Sequence, residues 1–154
     1  MAPRQIKDLA ELKTLVGEHL GHSNWLEIDQ ARVQMFADAT GDQQWIHTDP
    51  ERAKAQSPFG GPIAHGYLTL SLGPVLLPEI YSVGGIAMGV NYGANKVRFM
   101  SPVPVGAKVR AGAKLLGVED IAGGAQATIE VTFECEGATK PSCVAEVIFR
   151  MYSA

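Results

Sequence analysis

Asp42 and His47 stand five residues apart in the stretch ATGDQQWIHTDPERA, residues 39–53. A carboxylate and an imidazole are side chains that can exchange protons near neutral pH once their surroundings tune them. Hydration of a conjugated double bond needs two proton movements, one off the water and one onto the α-carbon. A pair of this kind meets that need. Trp45 and Ile46 lie between the two, and apolar shielding by them would raise the carboxyl pKa toward neutrality. On spacing alone the same residues also read as a helix-capping carboxylate and a surface imidazole.

His65-Gly66 comes next, at the mouth of the uncharged stretch GYLTLSLGPVLLP. The first N–H groups of a helix have no intrahelical partner and sit at the positive end of its dipole. Such groups suit the negative charge that develops on a thioester oxygen. Glycine lets a ligand approach the backbone closely. The plainer reading is a tight turn into a core helix. His19 and His22 have no carboxylate or thiol at metal spacing and read as surface residues, and Ser71 reads as a hydroxyl bonded back to its own helix. There is no Cys-x-x-Cys, no His-Glu-x-x-His and no phosphate-binding glycine loop.

These residues need elements to hold them. Asp8 and Glu11 have capping-box spacing before Leu12 and Leu15, which predicts a short helix. Residues 23–28 read as a first strand. Asp29 then caps a helix carrying Val33, Phe36, Ala37 and Thr40 and ending at Gly41. Asp49-Pro50 opens a further short helix through Ala55. Residues 57–62 form a loop. From Gly66 to about Pro78 the absence of charge predicts a helix buried all round, kinked or stopped early by Pro74. The remainder alternates: Ala127, Ile129, Val131, Phe133 and Cys135 share one face and Gln126 to Glu136 the other, a half-buried antiparallel strand. Its partner runs from Cys143 to Tyr152, and residues 86–100 and 108–119 supply more strands. The pattern predicts one α+β domain over residues 1–154, a sheet wrapped around one helix.

The chain has 154 residues, 19% charged and 46% hydrophobic, and a formal net charge of -3. The charges are interspersed, which argues against nucleic-acid binding. No apolar run is long enough for a bilayer span, and the N-terminus lacks a signal-peptide core, so membrane association is not expected and a cytoplasmic location is. Cys135 and Cys143 read as small apolar residues on neighbouring strands.

Thr40-Gly41-Asp42, a four-residue gap, His47, a five-residue gap and Ala53, followed by GGPIAHGYLTLSL, resemble the MaoC-like family of hot-dog dehydratases, which includes (R)-specific enoyl-CoA hydratases. Asn91-Tyr92-Gly93, Asn95 to Phe99, Pro102-Val103 and Gly106 are similar to that family's next strand pair, so the resemblance covers nearly the whole chain. It implies a hot-dog fold and (R)-specific hydration of trans-2-enoyl thioesters, with the reverse dehydration. It implies Asp42 and His47 as the catalytic pair and Gly66 as the N–H that polarises the thioester carbonyl. His65, Asn91, Tyr92 and Gly93 would complete the substrate-binding surface. No metal or redox cofactor is implied; coenzyme A or carrier-protein pantetheine arrives as part of the substrate. It also implies a homodimer with the site at its interface. The chain departs from the family pattern in having Gln44-Trp45 where Asn-Pro is common, and Pro74 where some members carry a serine. Lys96, Arg98, Lys108 and Arg110 are candidates for phosphate contacts, or solvated strand faces. The rival functions are a hot-dog thioesterase and a non-catalytic acyl-thioester-binding module. Acyl chain length and branching, the pathway, and which of the pair activates water are not readable from sequence.

Overall fold

The computed structural model describes residues 2–154. Its frame is an antiparallel sheet built from the alternating C-terminal half. β6 (Lys108–Ile121), β7 (Gly124–Cys135) and β8 (Cys143–Ser153) are neighbours in sequence and in space, and β5 (Ile86–Arg98) pairs with β8 at the edge. β2 (His19–His22) and the two-residue β3 (Leu26–Glu27) both pair with β6 on the other side. A separate two-stranded parallel pair joins β1 (Arg4–Ile6) to β4 (Tyr81–Val83). The alternation read from residues 126–136 is seen in β7: Ala125, Ala127, Ile129, Val131, Phe133 and Cys135 are buried, and the residues between them are half-buried. Strict period-two patterning fixes which face meets the core, because a one-residue slip would turn every side chain over.

Against the buried face lies the uncharged segment. It is not one helix. α5 (Gly66–Ser71) stops, α6 (Gly73–Leu76) restarts with Pro74 in its first turn, and a 3-10 turn (Leu77–Glu79) ends it. Proline carries no N–H to continue a helix and is tolerated in a first turn, so the break falls just before it. Leu68, Leu72, Leu76 and Leu77 join Val109, Leu115, Ile129, Val131 and Phe133 in one core. The expectation that this segment is buried all round fails: Tyr67 is 71% exposed and Val75 54%. One stripe of it faces outward in the single chain.

The helical N-terminal half follows its caps. α1 (Leu9–Thr14) starts at Asp8, whose carboxylate accepts the Glu11 N–H, while Glu11 accepts back from Lys7. α2 (Gln30–Thr40) starts at Asp29, which accepts from Arg32 N. The expected strand over residues 23–28 shrinks to β3. Ser23 instead turns inward, where its hydroxyl accepts the Ala111 N–H at 2.9 Å. Strand β2, which holds His19 and His22, was not foreseen; His-Leu-Gly-His is too short to show a period. No described helix is long and apolar enough to cross a membrane.

Candidate active site

Gly41 closes α2 in the left-handed region, with φ 85°, so the chain turns sharply out of the helix and presents Asp42 at once. The following helix α3 (Trp45–Thr48) forms without the family's proline. Hydrogen bonds replace it. The Asp42 carboxylate accepts the Gln44 N–H at 3.3 Å, and the Thr48 hydroxyl donates to the carbonyls of Gln43 and Gln44 at 3.0 and 3.2 Å. Asp49 then caps α4 (Pro50–Gln56) through Arg52 N. Trp45 does not shield Asp42 as expected. The Arg52 guanidinium lies 4.3 Å above the Trp45 ring, and Asp42 is exposed in the single chain.

His47 is anchored from two sides and buried. Its Nδ1 bonds the carbonyl of Ile63 at 2.7 Å, and the Gln30 amide donates to its own carbonyl at 2.7 Å. A carbonyl only accepts, so Nδ1 carries the hydrogen and Nε2 keeps its lone pair in the neutral ring. Burial pushes the His47 pKa down from the ordinary imidazole value. The Ile63 bond and the Asp42 charge oppose that shift, and the neighbouring His65 adds to it. Burial thus favours the neutral ring of His47.

His65 is also buried, and its ring stacks on His47 with centroids 3.9 Å apart and planes 25° from parallel. Phe36 covers it on another side at 4.9 Å. Its Nε2 bonds the backbone carbonyl of Asp42 at 3.0 Å, which ties the Asp42 turn to the start of α5. One donor atom from each of Asp42, His47 and His65 lies within 4.8 Å of the others. A metal ion must lie in the plane of every imidazole that binds it, and two stacked, nearly parallel rings do not offer one such point. The arrangement suits proton handling better than chelation.

Gly66 opens α5, so its N–H has no carbonyl four residues back to bond. Phe99 crowds it: a Cβ on Gly66 would sit 3.0 Å from the Phe99 ring. Asn91, Tyr92 and Gly93 are not brought to this pair within one chain. They lie on β5 and line an apolar groove of about 400 Å³ with Tyr67, Ser71 and Pro74. The Ser71 hydroxyl bonds the Leu68 carbonyl at 2.7 Å, as a serine inside a helix tends to. Of the four cations considered for phosphate contacts, Arg110 is paired to Glu134 at 2.8 Å and Lys96 lies 3.9 Å from Glu146. Gln30 and the Ile63 carbonyl were missed. The second carries no signature in sequence, because every residue type has a carbonyl.

Comparison with known proteins places the chain in a family. Residues 11–137 match the MaoC-like domain family. The chain is 54% identical to 3-hydroxyacyl-thioester dehydratase Z of Mycobacterium tuberculosis over 96% of this chain and 97% of that protein. It is 44% identical to nodulation protein N of Rhizobium leguminosarum bv. viciae, covering 91% and 88% of the two chains. Among solved structures, the (R)-hydratase of A. caviae involved in PHA biosynthesis superposes with a TM-score of 0.71 at 25% identity, covering 87% of this chain and 94% of that one. With its helical segment packed on an antiparallel sheet and a family match over most of its length, the chain belongs to the MaoC-like hot-dog family.

Proposed function

We propose that this protein hydrates trans-2-enoyl thioesters to (R)-3-hydroxyacyl thioesters and catalyses the reverse dehydration. The observation that carries it is the His47 imidazole, fixed as the Nδ1–H tautomer by Ile63 and close to both the Asp42 carboxylate and His65, the residue that precedes Gly66 at the start of α5. The function borne by the similar dehydratase and (R)-hydratase supports the same reading. In the forward direction water stands between Asp42 and His47. Nε2 of His47 takes one proton, the oxygen bonds C3, and the electron pair of the double bond moves to the thioester oxygen, where Gly66 N–H meets it. The Asp42 carboxylate accepts the water's other O–H and balances the imidazolium. Nε2–H then returns the proton to C2 on the same face. These steps use side chains and backbone alone, with coenzyme A or carrier pantetheine entering as part of the substrate. The thioesterase alternative has no use for an imidazole held in this tautomer five residues after the carboxylate.

The apolar groove along α5, α6, β5 and β8 fits the acyl chain. It continues past Pro74, Leu77 and Phe149 into a second apolar cavity of about 480 Å³. A homodimer belongs to this reading. β5 is an edge strand exposed over nearly its whole length, and Met88, Val90 and Tyr92 on it are more than a third exposed, as are Tyr67 and Val75 opposite. Edge backbone and apolar side chains of this kind call for a cover. Light scattering at micromolar concentration should return twice the chain mass, and Val90→Arg should shift it toward monomer with loss of activity. A monodisperse, fully active wild-type monomer would remove the shared site. A reducing, cytoplasmic setting fits the two free, buried thiols, with burial raising the Cys143 pKa to about 11.

The deciding experiment is chiral. Purified protein is given a trans-2-enoyl-CoA, loss of the enoyl absorbance is followed, and the product is coupled to stereospecific dehydrogenases. The (R) product is expected. An (S) product sinks the stereochemical reading, and release of free thiol without loss of the enoyl group makes the protein a thioesterase.

A further inference from the structure

His65 touches both members of the acid–base pair, yet it offers a substrate almost no surface, being 3% exposed. Its Nε2 lies 3.0 Å from the Asp42 carbonyl. A carbonyl only accepts, so this nitrogen carries the hydrogen. The other nitrogen, Nδ1, is sealed in and has no hydrogen-bond partner among the described residues. One face of the ring lies on His47 at 3.9 Å, and Phe36 flanks it at 4.9 Å. The His65 carbonyl accepts from Leu68 N and Thr69 N at 3.1 and 3.3 Å. Those bonds start α5 and leave the next residue, Gly66, at its mouth. One residue therefore reaches the Asp42 turn, the His47 ring and the beginning of the helix.

The bond to Asp42 matters because little else holds that turn. It is the one hydrogen bond that the Asp42 carbonyl accepts among the described residues. The Asp42 N–H has only a long contact of 3.4 Å to Thr40 Oγ1, and the residue is exposed. We infer that His65 is a positioning residue for hydration: its Nε2–H fixes the turn that presents the Asp42 carboxylate, and its ring face fixes the plane of His47. It acts through these two residues rather than on the substrate. The inference rests on the hydratase reading and deepens it. The stack also has an electrostatic side, because two imidazoles this close do not readily both carry a positive charge. Burial is the main cause of the lowered His47 pKa. The Ile63 bond and the Asp42 charge oppose the shift, and His65 adds to it. His65 thereby helps keep His47 free to accept a proton.

Two substitutions separate the roles, since a phenyl ring has the face without the donor and a carboxamide the donor without the ring. Wild type, His65→Phe and His65→Gln are assayed on a trans-2-enoyl-CoA across pH. The His47 ring is titrated by NMR, its signal assigned with His47→Gln, and melting temperatures establish that the variants are folded. His65→Phe should lower kcat about tenfold, the size of one well-made hydrogen bond, with KM little changed. His65→Gln should recover most of that loss. Removing a cause that lowers the His47 pKa raises it. In both variants the His47 midpoint and the acid limb of the rate should therefore move toward neutral pH. A raised KM at unchanged kcat would make His65 a substrate contact and overturn the inference. So would wild-type kcat in folded His65→Phe, or a His47 midpoint that stays put in both variants. Should His65→Phe not fold, the midpoint in His65→Gln decides. If wild type hydrates no enoyl ester, the hydratase reading fails. A midpoint that rises in the variants then keeps His65 as the residue that sets His47, and one that does not move removes it.

Discussion

Asp42→Asn and His47→Gln should each lower kcat by at least about 100-fold, the range in which positioned acid–base groups act. Asparagine still accepts the Gln44 N–H that shapes the turn, so the loss belongs to the missing carboxylate charge. Glutamine keeps a polar side chain but has no ring nitrogen to take up a proton. The two act on one water, so the double variant should be hardly slower than the slower single one. Affinity for a non-hydratable thioester should change much less, since Gly66 and the cavities hold it. The pH profile gives an independent check. The proposed mechanism uses His47 as the neutral base, and burial holds its pKa below the ordinary 6.5. Activity should therefore persist below pH 6.5 and fall only as the imidazole takes up a proton at lower pH. A rate that halves above pH 6.5 on acidification, or single variants that keep more than a tenth of wild-type kcat while folded, would remove His47 and Asp42 from the chemistry.

Gly124→Ala should be the most damaging single methyl in the sheet. Gly124 begins β7 and pairs with Tyr152 of β8 and Ile121 of β6. A Cβ there would run into the carbonyl oxygen and carbon of Met151, which are backbone atoms and cannot rotate aside. The ladder between β7 and β8 has to open at that end. A stability loss of about 2–4 kcal/mol is expected, in line with forced backbone strain, which lowers Tm by about 2–4 °C per kcal/mol at this chain length. Gly117→Ala is the control, because a Cβ on Gly117 meets nothing within 4 Å. Urea denaturation of both variants measures the difference, and equal midpoints would show that the β7–β8 end adjusts freely.

Much of the fold was legible because burial writes a period into long strands. β7 and β8 were readable almost residue by residue, and the caps at Asp8, Asp29 and Asp49 marked three helix starts. β2 and β4 were not readable, since three or four residues cannot display a period and their strand character comes from the partner they meet. The break at Pro74 was visible, but the exposed stripe at Tyr67 and Val75 was not. Hydropathy reports a preference for burial without saying which surface provides it. Within the site, the motif placed Asp42 and His47, while the contacts that orient them depend on the backbone of Ile63 and the carbonyl of Asp42. Nothing at position 63 in the sequence signals an acceptor. Gln44-Trp45 stands where Asn-Pro would stiffen the chain, and the Thr48 hydroxyl and the Asp42 carboxylate close the turn there instead, through contacts the sequence does not announce.

The order of the sheet also bears on how the chain is made. Among the described residues β5 has its one strand neighbour in β8, which lies some fifty residues later in the chain. Residues 86–95 carry no charge. At synthesis rates of about 5–20 residues per second, this strand waits several seconds outside the ribosome before β8 exists to pair with it. Throughout that interval its first ten residues form a neutral, β-prone stretch, charged only beyond it at Lys96 and Arg98, and such a stretch can seed intermolecular pairing. Yield on overexpression should therefore respond to chaperone supply and temperature more than the stability of the finished protein would suggest. A lysine on the β5 surface would ease that passage at the expense of the contact proposed with a second copy.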